Sequence, residues 1–417
     1  MMEGRNSAYG LLMAASVGVH VLVPASGRAQ QDILRPEPCS FNVVYTTALA
    51  ATTACAEAGH ASDQYMLGLM YANGIDVRED DTEAFRWFRM AAEQGHPAAQ
   101  HSLGVMYAEG EGVPEDDAEA VRWYRLAAEQ GYVPAQGDLG VMYDNGYGVL
   151  EDDAEAVRWY RLAVEQRFAP AQYNLGVMYE NGTGVPMDIG EAARWYRLAA
   201  EQGFAAAQYN LGAMYDHGDS VPEDDREAVR WYRLSAGQGF AAAQHSLGVM
   251  YDEGNGVPED NPEAVRWYRL AAEQGNAMAQ FKLGGMYSRG EGILQDEVEA
   301  LRWYQLAADQ GDALAQTNLG VIHAQRWYRY QRNTAQGDVP TDVDLDFVQQ
   351  DLVLAFMWFT LSAEQGNETA QTNQDAIEQW LTPEQLAEAR RLSEAWIRRR
   401  APESSEPETL RIPNRSR

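Results

Sequence analysis

Trp87, Trp123, Trp159, Trp195, Trp231, Trp267 and Trp303 follow one another at a constant spacing of 36 residues. A fixed period of that size is the signature of a stacked array, in which each repeat buries its apolar face against its neighbours. The stretch AVRWYRLAAEQG from Ala120 to Gly131 returns almost letter for letter from Ala156, Ala228 and Ala264. An active site needs one constellation, not eight near-copies. The 417 residues therefore read as one elongated repeat body, rather than the two or three ordinary domains that length alone would allow.

Each repeat reads as two helices. The first carries Leu103-Gly104-Val105-Met106-Tyr107 and its later Leu-Gly-X-Met-Tyr equivalents, with Leu103, Met106 and Tyr107 on one helical face. Gly104 sits mid-helix, where glycine costs about 1 kcal/mol against alanine, so a bulky neighbouring ring is expected to approach its backbone. Gly110 and its equivalents follow the last apolar position and read as left-handed helix stops. The second helix opens at Asp80, Asp116, Asp152, Asp188, Asp224, Asp260, Asp296 and Asp351, followed three residues later by a glutamate in all but the last repeat, which has Leu354. This is the pattern of a capping box, and it accounts for the acidic clusters without calcium. Ala120, Trp123 and Ala127 form the expected core face, and Arg122, Arg125 and Glu129 the solvent face. On this reading the tryptophans are packing, and deletion of one indole costs roughly 3–5 kcal/mol.

The succession Leu-Gly-X-Met-Tyr, Gly-X-Gly-Val-Pro, Asp, then Ala-X-X-Trp-Tyr-X-X-Ala-Ala-X-Gln-Gly resembles the Sel1-like repeats, relatives of the tetratricopeptide repeats. The resemblance runs from His60 to Gly366 in eight repeats. It implies an all-α fold, a right-handed α-α superhelix (solenoid) of antiparallel helix pairs whose first helices line a concave groove. It also implies an adaptor or scaffold that binds proteins or peptides, often in bacterial envelopes. Some cysteine-rich secreted members bind or hydrolyse β-lactams, so a β-lactam or cell-wall hydrolase is the alternative. Those members carry a cysteine pair in every repeat, whereas this chain has only Cys39 and Cys55. Leu381 to Gln385 and the amphipathic stretch to Trp396 resemble the closing helices of bacterial members. Departures from the pattern are Arg167 and Ser220 in place of glycine, and Ile322-His323 in place of Met-Tyr.

The expected organisation is a signal peptide at 1–29, an N-terminal capping segment at 30–59, repeats at 60–366, capping helices at 367–400 and a disordered tail at 401–417. Arg5, the apolar run from Ala8 to Ala25 and the small residues Gly27 and Ala29 fit a secretory signal, with an uncleaved anchor as the rival. A periplasmic or secreted bacterial protein is the expectation, without a membrane segment after signal removal. Export would permit Cys39 and Cys55 to pair; alternatively Cys55 is a small buried side chain at a position where the repeat has alanine. A net charge of −30, with Lys282 as the only lysine, argues against nucleic acid and anionic membrane surfaces.

Catalytic motifs are not found. Gly182-Thr183-Gly184 and Gly254-Asn255-Gly256 lack the Lys-Ser/Thr of a phosphate loop, and Ala279 stands where a serine nucleophile paired with Lys282 would sit. The histidines are spread along the array, which argues against a metal centre, and no cofactor is implied. Binding is expected instead where the repeat varies. The first-helix column His101, Gly137, Tyr173, Tyr209, His245, Phe281 and Thr317, with neighbours such as Asn174, Asn210 and Asn318, offers aromatic and amide groups for an extended peptide or protein of unknown identity. The bland alternative is that these rings pack between repeats. A second candidate is an insertion near 326–346, opening with the basic aromatic run Arg326, Trp327, Tyr328, Arg329 and Arg332. It either docks a partner or, the preferred version, folds back on the acidic loops; Asp338 to Asp346 reads as a loop.

Overall fold

The computed structural model describes residues 48–336 and 345–400, which form 19 α-helices with no strand among the described residues. Contacts divide the chain into two compact units, Met1–Asp188 and Ile189–Arg417. The first contains α1 (Ala48–Glu57) and three helix pairs: α2 (Ala61–Asn73) with α3 (Asp81–Glu93), α4 (Pro97–Glu109) with α5 (Asp117–Glu129), and α6 (Val133–Asn145) with α7 (Asp153–Glu165), followed by α8 (Ala169–Asn181). The second opens with α9 (Ile189–Glu201) and continues in the pairs α10 (Ala205–His217) with α11 (Asp225–Gly237), α12 (Ala241–Glu253) with α13 (Asn261–Glu273), and α14 (Ala277–Arg289) with α15 (Glu297–Asp309). A longer pair, α16 (Ala313–Ala335) with α17 (Leu345–Glu364), is closed by α18 (Glu368–Glu378) and α19 (Pro383–Arg400). The expected signal peptide, Cys39 and the tail lie outside the described residues.

Each pair is set by a glycine in its first helix. A Cβ on Gly104 would lie 2.6 Å from the Tyr124 ring, one on Gly140 2.5 Å from Tyr160, and one on Gly248 2.6 Å from Tyr268. Phe88 and Phe359 fill the same place against Gly68 and Gly320. The approaching ring is therefore the residue after the tryptophan. It brings the second helix onto the bare backbone of the first, and Tyr160 and Tyr268 are fully buried there.

The tryptophans work between repeats. Trp159 closes a cluster with Ala127, Ala128, Ala135 and Leu139, and Trp303 one with Ala271, Ala272, Ala279 and Leu283, so each indole reaches back to the preceding second helix. All seven periodic indole N–H groups are buried without a hydrogen-bond partner. An orphaned donor costs about 1–3 kcal/mol. Burial of ~150–250 Å² of ring at ~25 cal/mol per Å² contributes about 4–6 kcal/mol, so packing wins. The guanidinium of the preceding arginine lies over each ring, at 4.4 Å for Arg122 over Trp123.

A glutamine ladder adds direction. Gln100 Nε2 donates to the Ala92 carbonyl of the preceding repeat at 3.2 Å, and Gln130 Nε2 donates to Gln100 Oε1 at 2.7 Å. The same relay recurs at Gln244 with Gln274, Gln280 with Gln310 and Gln316 with Gln365. Each buried amide thereby gives a second donor to a helix-terminal carbonyl that also accepts from the following glycine N–H, as Ala92 does from Gly95 at 2.9 Å.

The second helices do start at aspartates: Asp116 Oδ1 accepts from the Glu119 N–H at 3.0 Å, and Asp80, Asp152, Asp224, Asp260 and Asp296 do likewise. The reciprocal arm of a capping box is absent at these caps. The Asp116 N–H donates to the Tyr107 carbonyl at 2.8 Å, and the Glu119 carboxylate instead pairs with Arg122 at 2.8 Å. Asp351 is no cap at all. It lies inside α17, where Oδ1 meets His323 Nδ1 at 2.6 Å. First helices end on left-handed glycines such as Gly110, at φ 70°. Arg167 and Ser220 adopt the same region, at φ 62° and 57°, where a side chain costs roughly 1–2 kcal/mol.

The glycine contacts make a paired prediction. Gly140→Ala should lower stability by about 1–2 kcal/mol, because the added methyl meets the Tyr160 ring and overpacking outweighs the gain in helix propensity. Gly237→Ala, on an exposed helical site with nothing within 4 Å of the new carbon, should raise it by about 0.5–1 kcal/mol. Urea unfolding of both variants checks the contrast; equal signs would refute the close-approach account.

Candidate functional site

The variable column runs along the first helices and is half-buried rather than bare. His101 Nε2 meets Asp138 Oδ2 at 2.7 Å, and its ring lies 5.6 Å from Tyr124 and 5.3 Å from Tyr132. Tyr209 lies 5.8 Å from Tyr232 and 5.4 Å from Phe240, His245 5.8 Å from Tyr268, and Phe281 5.9 Å from Tyr304. Gly137 is buried because Phe168 occupies its side-chain space, and Thr317 is buried with its hydroxyl on Ser362 at 2.8 Å. One face of each ring thus packs against tyrosines of the array. Variation at this column is in part matched by the residue opening the next first helix, so it is not free of packing constraint.

The neighbouring polar side chains lie beside the buried tyrosines: Asn174 by Tyr160, Asn318 by Tyr304, and Ser246 by Tyr209 and Tyr232. From the first helix of the tyrosine's own repeat, carboxylates face the hydroxyls: Tyr232 donates to Asp216 at 3.0 Å and Tyr268 to Asp252 at 3.1 Å. Lys282 Nζ reaches Asp252 at 3.4 Å. Burial, reinforced by Asp153, pushes the Asp144 carboxyl up to about 6. Burial and the adjacent Lys282 push His245 down to about 4, so its ring is neutral at pH 7. Asn210 lies half-buried on α10 and Tyr173 half-buried on α8, both in register with the column.

The insertion lengthens both flanking helices: α16 runs to Ala335 and α17 begins at Leu345; the expected loop from Asp338 to Asp346 lies outside the described residues except for Leu345 and Asp346, which open α17. Its basic aromatic run divides. Arg326 Nε pairs with Glu297 at 2.8 Å, and Trp327 stacks on Trp380 at 5.0 Å, so this part folds back. Tyr328, Arg329 and Arg332 remain exposed. At the chain's end Trp396 packs edge-on to Trp358 at 6.5 Å, and Arg400 donates to the Gln310 carbonyl at 2.6 Å. At the other end, Cys55 is fully buried in α1 and disulfide-bonded.

Two histidine–carboxylate pairs, His101–Asp138 and His323–Asp351, have the geometry of a base and its orienting group. Neither histidine is hydrogen-bonded to a serine, threonine or cysteine among the described residues. A depression of about 220 Å³ lies between α9 and Ser220-Val221, lined by Ala193, Arg194 and Arg197; Ser220 is the one hydroxyl in its lining, and no histidine lines it. No group of three or more His, Cys, Asp or Glu side chains could hold a metal ion among the described residues. None of these helices is long and apolar enough to cross a membrane.

The Sel1 repeat model matches residues 61–96, 97–132, 133–168, 169–204, 205–240, 241–276, 277–312 and 344–367, and the chain belongs to the Sel1 repeat family. It is an all-α array of helix-pair repeats with terminal helices, a scaffold fold typically used for protein–protein interaction. Among solved structures, a protective antigen present in uropathogenic Escherichia coli strains and displaying an SLR fold is 32% identical, with a TM-score of 0.52, over 89% of this chain and 99% of that one. A Sel1 repeat protein from Oxalobacter formigenes is 38% identical, with a TM-score of 0.53, over 64% of this chain and 77% of that one. No curated protein matches the sequence.

Asp144 gives a pH prediction. Its folded pKa of about 6 exceeds the ordinary 3.8, so the folded state holds the extra proton and loses stability as pH rises from about 4 through 6. Asp144→Asn removes that loss. The stability of the variant relative to the parent should therefore increase between pH 4 and 7 in urea titrations, and a flat difference would contradict the burial of this carboxyl.

Proposed function

We propose that this chain is an exported scaffold that binds a protein or peptide along its first-helix face, and that it is not an enzyme. The observation that carries this reading is the difference between the two helix faces. The outer face of the second helices is closed by repeated Glu–Arg pairs such as Glu119–Arg122, Glu155–Arg158 and Glu227–Arg230. The first-helix face instead presents half-buried rings, amides and carboxylates that differ from repeat to repeat. Rings anchored on one side lose little entropy on contact, which favours them as recognition elements. Tyr173 with Asn174 in the first unit, and Tyr209, His245 and Phe281 with Asn210 and Asn318 in the second, are the groups assigned to partner binding.

Site-specific photo-crosslinking in cells tests the face. Benzoylphenylalanine placed at Asn210 or Ser246 should give protein adducts, whereas the same group at Arg230 or Leu234 should not. Adducts from the second-helix positions alone would reverse the assignment.

Export is supported by the basic, apolar and small-residue segments of positions 1–29. The E. coli relative is a protective antigen, which fits a protein met outside the cytoplasm. Intact mass of the protein recovered from periplasmic extract should correspond to a chain beginning at Gln30; a mass that retains the first 29 residues would reject cleavage.

A further inference from the structure

The depression beside α9 coincides with three departures from the repeat. In other repeats a glycine after the first helix lets the loop settle on the start of the preceding second helix. A Cβ on Gly184 would lie 2.5 Å from the Asp153 carbonyl oxygen, and Gly256 sits on Asp225 and Gly292 on Asn261 in the same way. Ser220 holds that position after α10, at φ 57°, and its own Cβ keeps the loop from seating as closely on α9. On α9 itself, Ala193 stands where Val121, Val157, Val229 and Val265 stand, and Gly190 where Ala118 and Ala154 do. Methyls missing from the helix and a loop held off it leave about 220 Å³ between them.

Size and lining select the occupant. The volume falls short of the ~300–1,000 Å³ of a small-molecule pocket and suits a single side chain. Ala193 is buried in it and Leu198 and Val221 are half-buried, while Arg194 and Arg197 border it exposed. Arg194 lies over the Trp195 ring at 5.4 Å and pairs with Glu191 at 3.2 Å. Arg197 donates to the Tyr215 hydroxyl at 2.9 Å. A planar guanidinium has two faces, and with the Arg194 side chain 63% exposed its second face is open to another ring. Glu201 completes the lining with an acceptor for a phenol O–H or an indole N–H. Arg194 and Arg197 are balanced in charge by Glu191 and Glu201, so the place favours a neutral ring over an ion. α7 carries the same charged residues as Arg158, Arg161, Glu155 and Glu165; what α9 adds is the space.

We infer that the depression beside α9 is a docking site for a tyrosine or tryptophan side chain of a partner protein or peptide. The ring fills the room left by the missing methyls against Ala193 and Val221. The guanidinium faces of Arg194 and Arg197 lie against its π-electrons, and Glu201 accepts its O–H or N–H. The site lies on a second helix and its neighbouring loop, so it is separate from the first-helix face and stands independently of that assignment.

Fluorescence polarisation with labelled random decapeptide pools tests the site, one pool with tyrosine fixed at the centre and the other with leucine, and no aromatic residue elsewhere. The parent should bind the tyrosine pool about fivefold more tightly. The Ala193→Val/Ser220→Gly double variant restores the residues that other repeats carry, so it should keep or raise the thermal midpoint while bringing the ratio to about one. Arg194→Gln/Arg197→Gln keeps the space but removes both cations, and should also lose most of the preference. Equal binding of the two pools by the parent, no binding of the tyrosine pool, or a preference that survives refilling of the space overturns the site. Crosslinking from Asn210 or Ser246 does not depend on these residues, so failure here leaves the first-helix assignment standing.

Discussion

The contact on which the rest depends is a tyrosine ring laid on a helix backbone that has no side chain. With Gly104, Gly140, Gly212, Gly248 or Gly284 under the ring, the two helices of a repeat come closer than any Cβ would allow. That spacing fixes where the tryptophan two helices further on finds its pocket of alanines, and where the glutamine amides meet the preceding carbonyls. Glycine in a helix costs about 1 kcal/mol, a cost that is local, whereas the packing it permits recurs at every interface.

Periodicity made the fold legible because one packing solution is used repeatedly. The spacing of Trp123, the stop at Gly110 and the bare helix face at Gly104 each state a physical requirement in residue type. Other features were harder to see. The partner of Gly104 is Tyr124 rather than the adjacent Trp123, and which of two neighbouring rings turns inward depends on helix rotation. The capping-box pattern was half right, since Glu119 has two available partners and takes Arg122. Asp351 kept the spacing of a cap, but the insertion lengthened α17 past it. The glutamine ladder was missed although Gln100 and Gln130 recur with the period. A polar residue in a repeat is easily read as solvent-facing until its carbonyl partner is located in three dimensions.

The site was legible only as a column. Sequence variation picked out His101, Tyr209, His245 and Phe281, yet it could not separate recognition from packing, and these rings are half committed to each. The tyrosine hydroxyls beneath them donate to carboxylates of the paired first helix, such as Asp216 and Asp252.

The ladder has a consequence for how such a chain changes length. Gln100 finds its acceptor in the repeat before it, and Gln130 in its own repeat. A duplicated segment of one full period therefore arrives with its donors and acceptors already matched at both joints. Repeats can thus be added or removed in whole periods without leaving an unmatched amide, while the first-helix column is redrawn by whichever first helix is copied.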